Sequence, residues 1–261
     1  MSATISSINY CPVKSVSFQS IDKCEIKKNI GIVGDRIFAF VKELDLDQAK
    51  LIEKNPEDRK GKWNKILTLK NSPVLNKYNF LFEKDKLTLI SNEKKILTID
   101  VNKLNERQLL SGKIAELENS LKKPIFLMKN EEFPFFDTTI SNKVNFVNSV
   151  SLLNIQSIKD FQKKIGKEIE TPRFRGNICI DGIKAWEERE WIGKIIKINN
   201  IPFKVEKNIP RCVAINLKPK TDDNSLNLPQ SLKKTYNHFD MGIYLTALDD
   251  GNINIGNSIN L

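Results

Sequence analysis

The sequence contains a single histidine, His238, among 261 residues. Most zinc sites and most non-haem iron sites use two or more imidazole ligands, so this count excludes them. Four cysteines stand at positions 11, 24, 179 and 212, with no Cys-x-x-Cys pair and no spacing typical of a zinc ribbon or a secreted disulfide framework. One cysteine and one histidine are enough for a thiol hydrolase, so a Cys212–His238 pair stays open as an alternative.

The chain also lacks any apolar run near the roughly 20 residues that a membrane-spanning helix requires. Its first ten residues have no basic patch followed by an apolar core, so no secretory signal is predicted and a cytoplasmic location is expected. Apolar residues make up 40% and charged residues 28% of the chain, which is typical of a folded globular protein and not of a disordered one. We therefore expect a folded protein with no membrane partner.

Acidic residues are too few to balance the basic ones, with 32 Asp and Glu against 42 Lys and Arg and a formal net charge of +10. Such an excess favours anionic partners, for example nucleic acid, a phosphorylated cofactor or an acidic protein. The lysines occur singly or in pairs along the chain, and aromatic residues do not interleave with basic runs. Nucleic-acid binding is therefore the least favoured function, and no nucleic-acid partner is predicted.

Short runs of β-forming residues separated by turn residues predict a β-rich α+β fold. Asn199-Asn200 predicts one hairpin, and Asp249-Asp250-Gly251 predicts a second hairpin between residues 243–248 and 252–255. The other strands are predicted at residues 5–10, 24–28, 37–41, 86–91, 96–101, 178–180, 195–198 and 201–205.

Two segments have apolar residues at helical spacing. One covers residues 104–121, and the other starts at Leu152 and continues to Ile165, with Ser149 or Ser151 as its N-cap. The irregular stretch between them, residues 122–142, contains two prolines and is the predicted domain boundary.

Four short segments concentrate residue types that carry chemistry. Lys, Arg, Ser and Asn side chains within them are what a phosphate site or another anion site requires. Ordinary surface charge is the simpler alternative for some of these cations, with Asp35 simply pairing with Arg36 on the surface. The segments are Cys11-Pro12-Val13-Lys14-Ser15, Gly31-Ile32-Val33-Gly34-Asp35-Arg36, Thr171-Pro172-Arg173-Phe174-Arg175-Gly176-Asn177 and Pro210-Arg211-Cys212.

Cys212 differs from the other cysteines in its neighbours. It follows Arg211 and precedes a predicted strand at residues 213–215. A cation beside a thiol stabilises the thiolate, which is the form that binds a metal or attacks an electrophile. Cys24 and Cys179 lie within predicted strands, where the ordinary role is that of a small buried apolar residue. Cys212 is therefore the candidate functional cysteine.

In their order, these segments resemble a family that joins an N-terminal MOSC β-barrel domain to a MOSC domain and that includes the mitochondrial amidoxime-reducing component. The resemblance implies an N-terminal MOSC β-barrel domain at residues 1–122 packed on a MOSC β-barrel-like domain at residues 123–261. The motifs that carry it are Pro12-Val13-Lys14-Ser15, Gly34-Asp35-Arg36, Phe174-Arg175-Gly176-Asn177, Arg211-Cys212, Gly242-Ile243-Tyr244 and Gly256.

The resemblance also implies a molybdenum cofactor, in which molybdopterin holds the metal. Cys212 would be the catalytic thiolate on molybdenum, a ligand that suits a soft metal already held by sulfur. Ser149 corresponds to a family Ser or Thr position opening a helix, where an anion contact is physically reasonable. The other residues implied to bind the cofactor are Lys14, Ser15, Arg36, Arg175, Asn177, Arg211 and Tyr244.

The function implied by the resemblance is the reduction of small N-hydroxylated compounds by a molybdenum-cofactor-dependent oxidoreductase. No Gly-x-Gly-x-x-Gly turn and no cluster-forming set of cysteines occurs, so electrons would come from a separate flavoprotein or ferredoxin. A non-catalytic carrier of molybdenum cofactor or of sulfur is the alternative, because a fold establishes a site and not a reaction.

Overall fold

A computed structural model of the chain describes residues 3–136 and 149–260. These residues form sixteen β-strands and four α-helices, which confirms the predicted β-rich α+β fold. The last part of the predicted boundary stretch, residues 137–142, lies outside the described residues. Among the residues described, no helix combines the length and the apolar character needed to cross a membrane.

Seven strands close into a barrel. Branched apolar side chains such as Ile5, Leu152 and Ile243 fill its interior. In pairing order the strands are β11 (Ile178–Asp181), β10 (Val150–Asn154), β14 (Asp240–Ala247), β13 (Ile201–Pro210), β12 (Ile195–Ile198), β16 (Ser258–Asn260) and β1 (Ala3–Tyr10), which returns to β11. A further strand, β2 (Gln19–Ile21), pairs with β1.

The remaining strands form three small sheets. These are β6 (Tyr78–Glu83), β7 (Lys86–Ser91) and β8 (Lys94–Asp100); β5 (Phe38–Lys42) with β9 (Ile125–Lys129); and β3 (Lys23–Lys27) between β4 (Gly31–Ile32) and β15 (Gly251–Asn254).

The first two helices contact strands of the small sheets, the third contacts barrel strands β10 and β11, and the fourth contacts the third helix. Leu110 and Ile114 of the second helix belong to the core that also contains Phe40 and Phe80 from the small sheets. The helices are α1 (Leu46–Lys54), α2 (Leu104–Leu117), α3 (Ile155–Ile165) and α4 (Leu228–Tyr236).

Strand pairs connect the two sides of the predicted division between residues 122 and 123. β1 closes the barrel by pairing with β11 and β16. β9 pairs over its whole length with β5, with Phe40 opposite Leu127. The division into residues 1–122 and 123–261 stays a prediction.

One predicted hairpin is confirmed and the other is wrong. β12 and β13 pair with Ile198 opposite Ile201, and Asn199 has the positive φ of 56° that a tight turn requires. β15, in contrast, pairs with β3 and not with β14. Both edges of β14 are already occupied, by β10 and β13, so no edge remains for the strand that follows it.

The predicted start of the second helix is also wrong. Leu152 lies in β10, and the helix begins after Asn154, whose side chain accepts a hydrogen bond from the backbone N–H of Gln156. All five β10 residues are buried, although Ser151 and Asn154 are polar, and the apolar pattern of so short a segment fits a buried strand as well as a helix. The predicted strand at residues 213–215 is a 3₁₀ helix, Val213–Asn216.

Candidate functional site

A cleft of about 320 Å³ lies between the two halves of the chain. This volume is within the range of pockets that bind small molecules and cofactors. Seven of the nine predicted site residues line it, although they are spread over more than 200 positions of sequence. They are Lys14, Ser15, Arg36, Arg175, Arg211, Cys212 and Tyr244.

Cations dominate the lining of the cleft. Six Lys or Arg residues line it, and no Asp or Glu does so among the residues that the structure describes. Two of the six, Lys70 and Lys207, are outside the predicted set. Lys70 belongs to no motif, whereas Lys207 lies on the strand leading to Cys212. A concave surface lined by one sign of charge concentrates ligands of the opposite sign, so the cleft is suited to an anion.

Asp35 lies buried beneath this surface and holds three groups in place. One carboxylate oxygen accepts from the Cys11 backbone N–H at 3.0 Å. The other accepts from Arg36 Nη1 at 2.7 Å and from Asn177 Nδ2 at 3.0 Å. The buried acid therefore connects the end of β1, the Arg36 turn and the segment that follows Arg175.

Asn177 occupies a supporting position. It is 1% exposed and does not line the cleft. Besides donating to Asp35, its amide oxygen accepts from Ser151 Oγ at 2.8 Å and from the Ser151 N–H at 3.1 Å. Ser151 lines the cleft, so Asn177 orients cleft residues from behind.

Aromatic rings hold the arginine side chains of the cleft. The Arg36 guanidinium lies 4.2 Å from the Phe136 ring centroid and 4.8 Å from that of Phe18. The Arg175 guanidinium lies 4.5 Å from the same Phe18 ring. Contacts of this kind attract cations to ring faces and restrict the arginine rotamers. Burial lowers the pKa of Arg175 from its ordinary value, with partial opposition from the Cys11 thiol.

Three predicted site residues share a left-handed backbone. Ser15 has φ 70°, Arg36 has φ 54° and Arg175 has φ 50°. Residues other than glycine adopt this region at a cost of about 1 kcal/mol or more, so surrounding contacts must offset it. Such conformations are concentrated at functional sites.

Gly242 permits the close strand approach that brings Tyr244 to the cleft. A Cβ atom at this position would lie 2.3 Å from the Leu152 carbonyl oxygen of the neighbouring β10, and the φ of Gly242 is 79°. Both constraints require glycine here. Close packing and backbone conformation therefore explain the glycine of the Gly242-Ile243-Tyr244 motif.

Arg211 uses much of its hydrogen-bonding capacity within the protein. Nε and Nη2 donate to the Met241 carbonyl at 2.8 and 2.6 Å, and Nη1 donates to the Phe174 carbonyl at 2.7 Å. Arg211 thereby ties β14 to the segment preceding Arg175. Its next neighbour, Cys212, is the exposed cysteine of the chain, whereas Cys11, Cys24 and Cys179 are buried.

Ser149 does not have the predicted surroundings. It is buried and directly precedes β10, so no helix begins at this residue, and its assignment as a cofactor ligand stays a prediction. Its hydroxyl has no hydrogen-bond partner among the described residues. Asn154 caps the helix instead, because β10 separates Ser149 from it.

His238 has structural contacts of its own. Its Nδ1 accepts from the Asp240 backbone N–H at 3.1 Å, and its ring stacks on Tyr236 at 5.7 Å between centroids. Burial, the largest effect, lowers the pKa of His238. His238 is not part of the cleft lining that contains Cys212. No group of three or more His, Cys, Asp or Glu side chains is arranged to hold a metal in residues 3–136 and 149–260.

The geometry of the cleft can be compared with known proteins. A family model for the MOSC domain matches residues 137–260. This match covers slightly less than half of the chain. This confirms the resemblance for that part of the chain. Arg175, Arg211, Cys212 and Tyr244 all lie within the matched residues.

Two curated relatives illustrate the range of similar proteins. Mitochondrial amidoxime reducing component 2 of Bos taurus is 25% identical over 142 residues, which are 50% of this chain and 42% of the relative. Molybdenum cofactor sulfurase of Drosophila melanogaster is 33% identical over 111 residues, 41% of this chain and 14% of the relative. The chain thus spans less than half the length of these relatives.

Among solved structures, the YUAD protein from Bacillus subtilis aligns over 99% of this chain and 94% of that chain, with a TM-score of 0.44 and 10% identity. YiiM from Geobacillus stearothermophilus aligns over 43% of this chain and 53% of that chain, with a TM-score of 0.35 and 18% identity.

Proposed function

We propose that this chain is a molybdenum-cofactor-dependent oxidoreductase that reduces small N-hydroxylated compounds with electrons from a separate protein. The observation that carries the proposal is the position of the exposed Cys212 thiol on a cleft lined by six cations. The MOSC match and the relatives named for amidoxime reduction and for the molybdenum cofactor support it.

The residues of the cleft fit this cofactor. Molybdopterin carries a phosphate, and a cation-lined surface without Asp or Glu among its described lining residues suits that group. A soft metal held by dithiolene sulfurs accepts a protein thiolate, and Cys212 offers one. The described residues contain no cluster of His, Cys, Asp and Glu ligands, so a metal here would depend on the cofactor for its other ligands.

Each residue would then have a distinct task. Lys14, Ser15, Arg36 and Arg175 would bind the phosphate and the pterin, since their side chains reach the cleft from both halves of the chain. Tyr244 would form part of the wall. Asn177, Ser149 and Arg211 were predicted as direct cofactor ligands. The burial of Asn177 and the internal hydrogen bonds of Asn177 and Arg211 favour a positioning role for these two residues.

When bound, the cofactor would supply two-electron redox chemistry at molybdenum. The chain itself would orient the cofactor, ligate the metal through Cys212 and admit the substrate on the exposed side of that thiol. Lys70 and Lys207 are exposed cations on the cleft. Together with the net charge of +10, they would attract an acidic flavoprotein or ferredoxin, through an interaction that weakens as salt rises.

The test has two stages. Metal analysis and pterin fluorescence on the natively purified protein should find about one molybdenum and one pterin per chain. The loaded protein should then reduce an amidoxime with chemically reduced viologen as the donor and remain inactive with nicotinamide nucleotides alone.

Matched cysteine variants assign the role of the thiol. Cys212→Ala should abolish activity and change the spectroscopic signature of the metal. Cys24→Ala removes a buried thiol outside the cleft and should cost only stability. Unchanged metal coordination in Cys212→Ala would refute the assignment. Arg36→Ala and Arg175→Ala should instead weaken cofactor retention by about 2 kcal/mol.

Two alternatives have distinct outcomes. A loaded wild type that leaves a broad panel of N-hydroxylated compounds untouched would favour the cofactor or sulfur carrier. Protein without metal or pterin that hydrolyses esters or amides through Cys212 would favour the thiol hydrolase. His238 contacts Tyr236 and Asp240 and does not line the cleft with Cys212, which disfavours the hydrolase.

A further inference from the structure

Arg59 is a completely buried arginine that belongs to none of the sequence motifs. Its exposure is 0%, and its guanidinium lies 3.9 Å from the ring centroid of Phe135. Nε donates to the Ile52 carbonyl at 3.2 Å and Nη1 to the Pro134 carbonyl at 3.1 Å. Within the described residues, Nη2 has no hydrogen-bond partner and no carboxylate pairs with this cation.

A buried cation without a counter-ion is costly, because its hydration is lost and no opposite charge replaces it. Burial lowers the pKa of Arg59 to about 10, so the side chain still carries its charge at neutral pH. Two features offset part of the cost. Ile52 lies in the last turn of α1, where carbonyls have no helical partner and the helix dipole favours a cation, and the Phe135 ring attracts the guanidinium.

The segment that Arg59 holds is one wall of the cleft. The Phe135 backbone N–H donates to the Arg36 carbonyl at 2.8 Å. The Phe136 ring covers the Arg36 guanidinium at 4.2 Å and meets the Tyr244 ring edge-on at 5.9 Å. The Phe136 carbonyl accepts a hydrogen bond from Lys14 Nζ. Three predicted site residues therefore depend on where Phe136 lies.

We propose that Arg59 is a positioning residue for this cleft, fixing residues 134–136 so that Phe136 holds Arg36 and Lys14 in the arrangement that binds an anionic ligand. The inference rests on the proposed function only in requiring that the cleft bind an anion. It requires neither molybdenum nor a redox reaction.

A double-mutant cycle tests this mechanism, with inorganic pyrophosphate as the probe and titration calorimetry as the measurement. The four proteins are the wild type, Arg59→Met, Phe136→Leu and the double variant, all as full-length chains. Arg59→Met should weaken pyrophosphate binding about five- to tenfold in the wild-type background and less than about twofold in the Phe136→Leu background. Coupling of this size is not expected if Arg59 only stabilises the core.

Arg107→Met is the matched control. Arg107 also carries a largely buried guanidinium in the N-terminal half, and it pairs with Glu53 without lining the cleft. This variant should lose stability and keep wild-type pyrophosphate affinity. Arg59→Lys retains the charge without the planar fork, should fold if Arg59→Met does not, and should bind pyrophosphate with intermediate affinity.

The outcomes separate the two proposals. Equal pyrophosphate affinity in the wild type and a folded Arg59 variant, or an equal loss with and without Phe136, would overturn the positioning role and leave the proposed function intact. A wild type that does not bind pyrophosphate would also overturn the positioning role. Coupling through Phe136 in a protein without molybdenum would uphold the positioning role while the proposed function fails.

Discussion

Asp35→Ala is the substitution with the largest expected effect on the cleft architecture. The carboxylate is buried and accepts hydrogen bonds from Cys11, Arg36 and Asn177, at distances of 3.0, 2.7 and 3.0 Å. Its removal leaves the Arg36 cation without its ion-pair partner and two N–H donors without acceptors. Breaking a buried ion pair from one side costs about 3–5 kcal/mol. Water entering the vacated space can satisfy some of the donors, so we expect about 4 kcal/mol in the free energy of unfolding.

Asp35→Asn separates charge from shape. The second carboxylate oxygen accepts from both Arg36 and Asn177, and an amide nitrogen in that place would present a donor to two donors. The alternative amide orientation would oppose the Cys11 N–H instead. Asp35→Asn should therefore restore little of the stability lost in Asp35→Ala, and its free energy of unfolding should be about 3 kcal/mol below that of the wild type.

Urea unfolding at pH 7, followed by far-ultraviolet circular dichroism, measures these free energies. Glu43→Ala is the control, because Glu43 is about one-third exposed and its pairs with Lys65 and Lys122 are 3.8 and 3.7 Å long. Exposed pairs contribute less than about 1 kcal/mol. Asp35→Ala within 1 kcal/mol of the control would show that the three contacts do not hold the site together.

Three further predictions follow from burial and close packing. A thiol reagent should modify one cysteine per native chain, Cys212, and four cysteines after denaturation, as counted by absorbance. Modification of a second thiol in the native protein would contradict the burial of the other three cysteines. Burial raises the pKa of Cys11 to about 11 and that of Cys24 to about 12. The free energy of unfolding contributed by these neutral thiols is complete below about pH 9 and is lost as the pH rises through about 11. Cys11→Ala should therefore make the alkaline decrease in the free energy of unfolding, measured with urea, smaller by about 2 kcal/mol. An unchanged decrease would show that ionisation of Cys11 does not cause it. Gly242→Ala should lower the unfolding free energy by about 3 kcal/mol in the same assay, since its Cβ would meet the Leu152 carbonyl, and a loss below 1 kcal/mol would contradict that packing.

Elements with a local cause could be predicted from the sequence. The β12–β13 hairpin depends on Asn199, which tolerates positive φ, and the alternation of residues 86–91 predicted β7 with its observed bounds. The helix predicted at residues 104–121 is present as α2, although it ends at Leu117. In each case the cause of the element lies within its own residues.

Elements with a distant cause could not be predicted. Residues 150–154 are buried because barrel strands flank them on both sides, and the three apolar residues among these five do not distinguish a strand from a helix. β15 pairs with β3, more than 200 residues away, because both edges of β14 are occupied.

The candidate site divides in the same way. The sequence by itself determined which residue types were present, and their motif order pointed to Lys14, Arg36, Arg175 and Cys212. Only the tertiary structure decided that these residues meet at one cleft, that Asn177 supports it from beneath, and that Arg59 reaches its wall through Phe136. Motifs record short-range constraints along the chain, whereas convergence, burial and charge pairing depend on segments that only folding brings together.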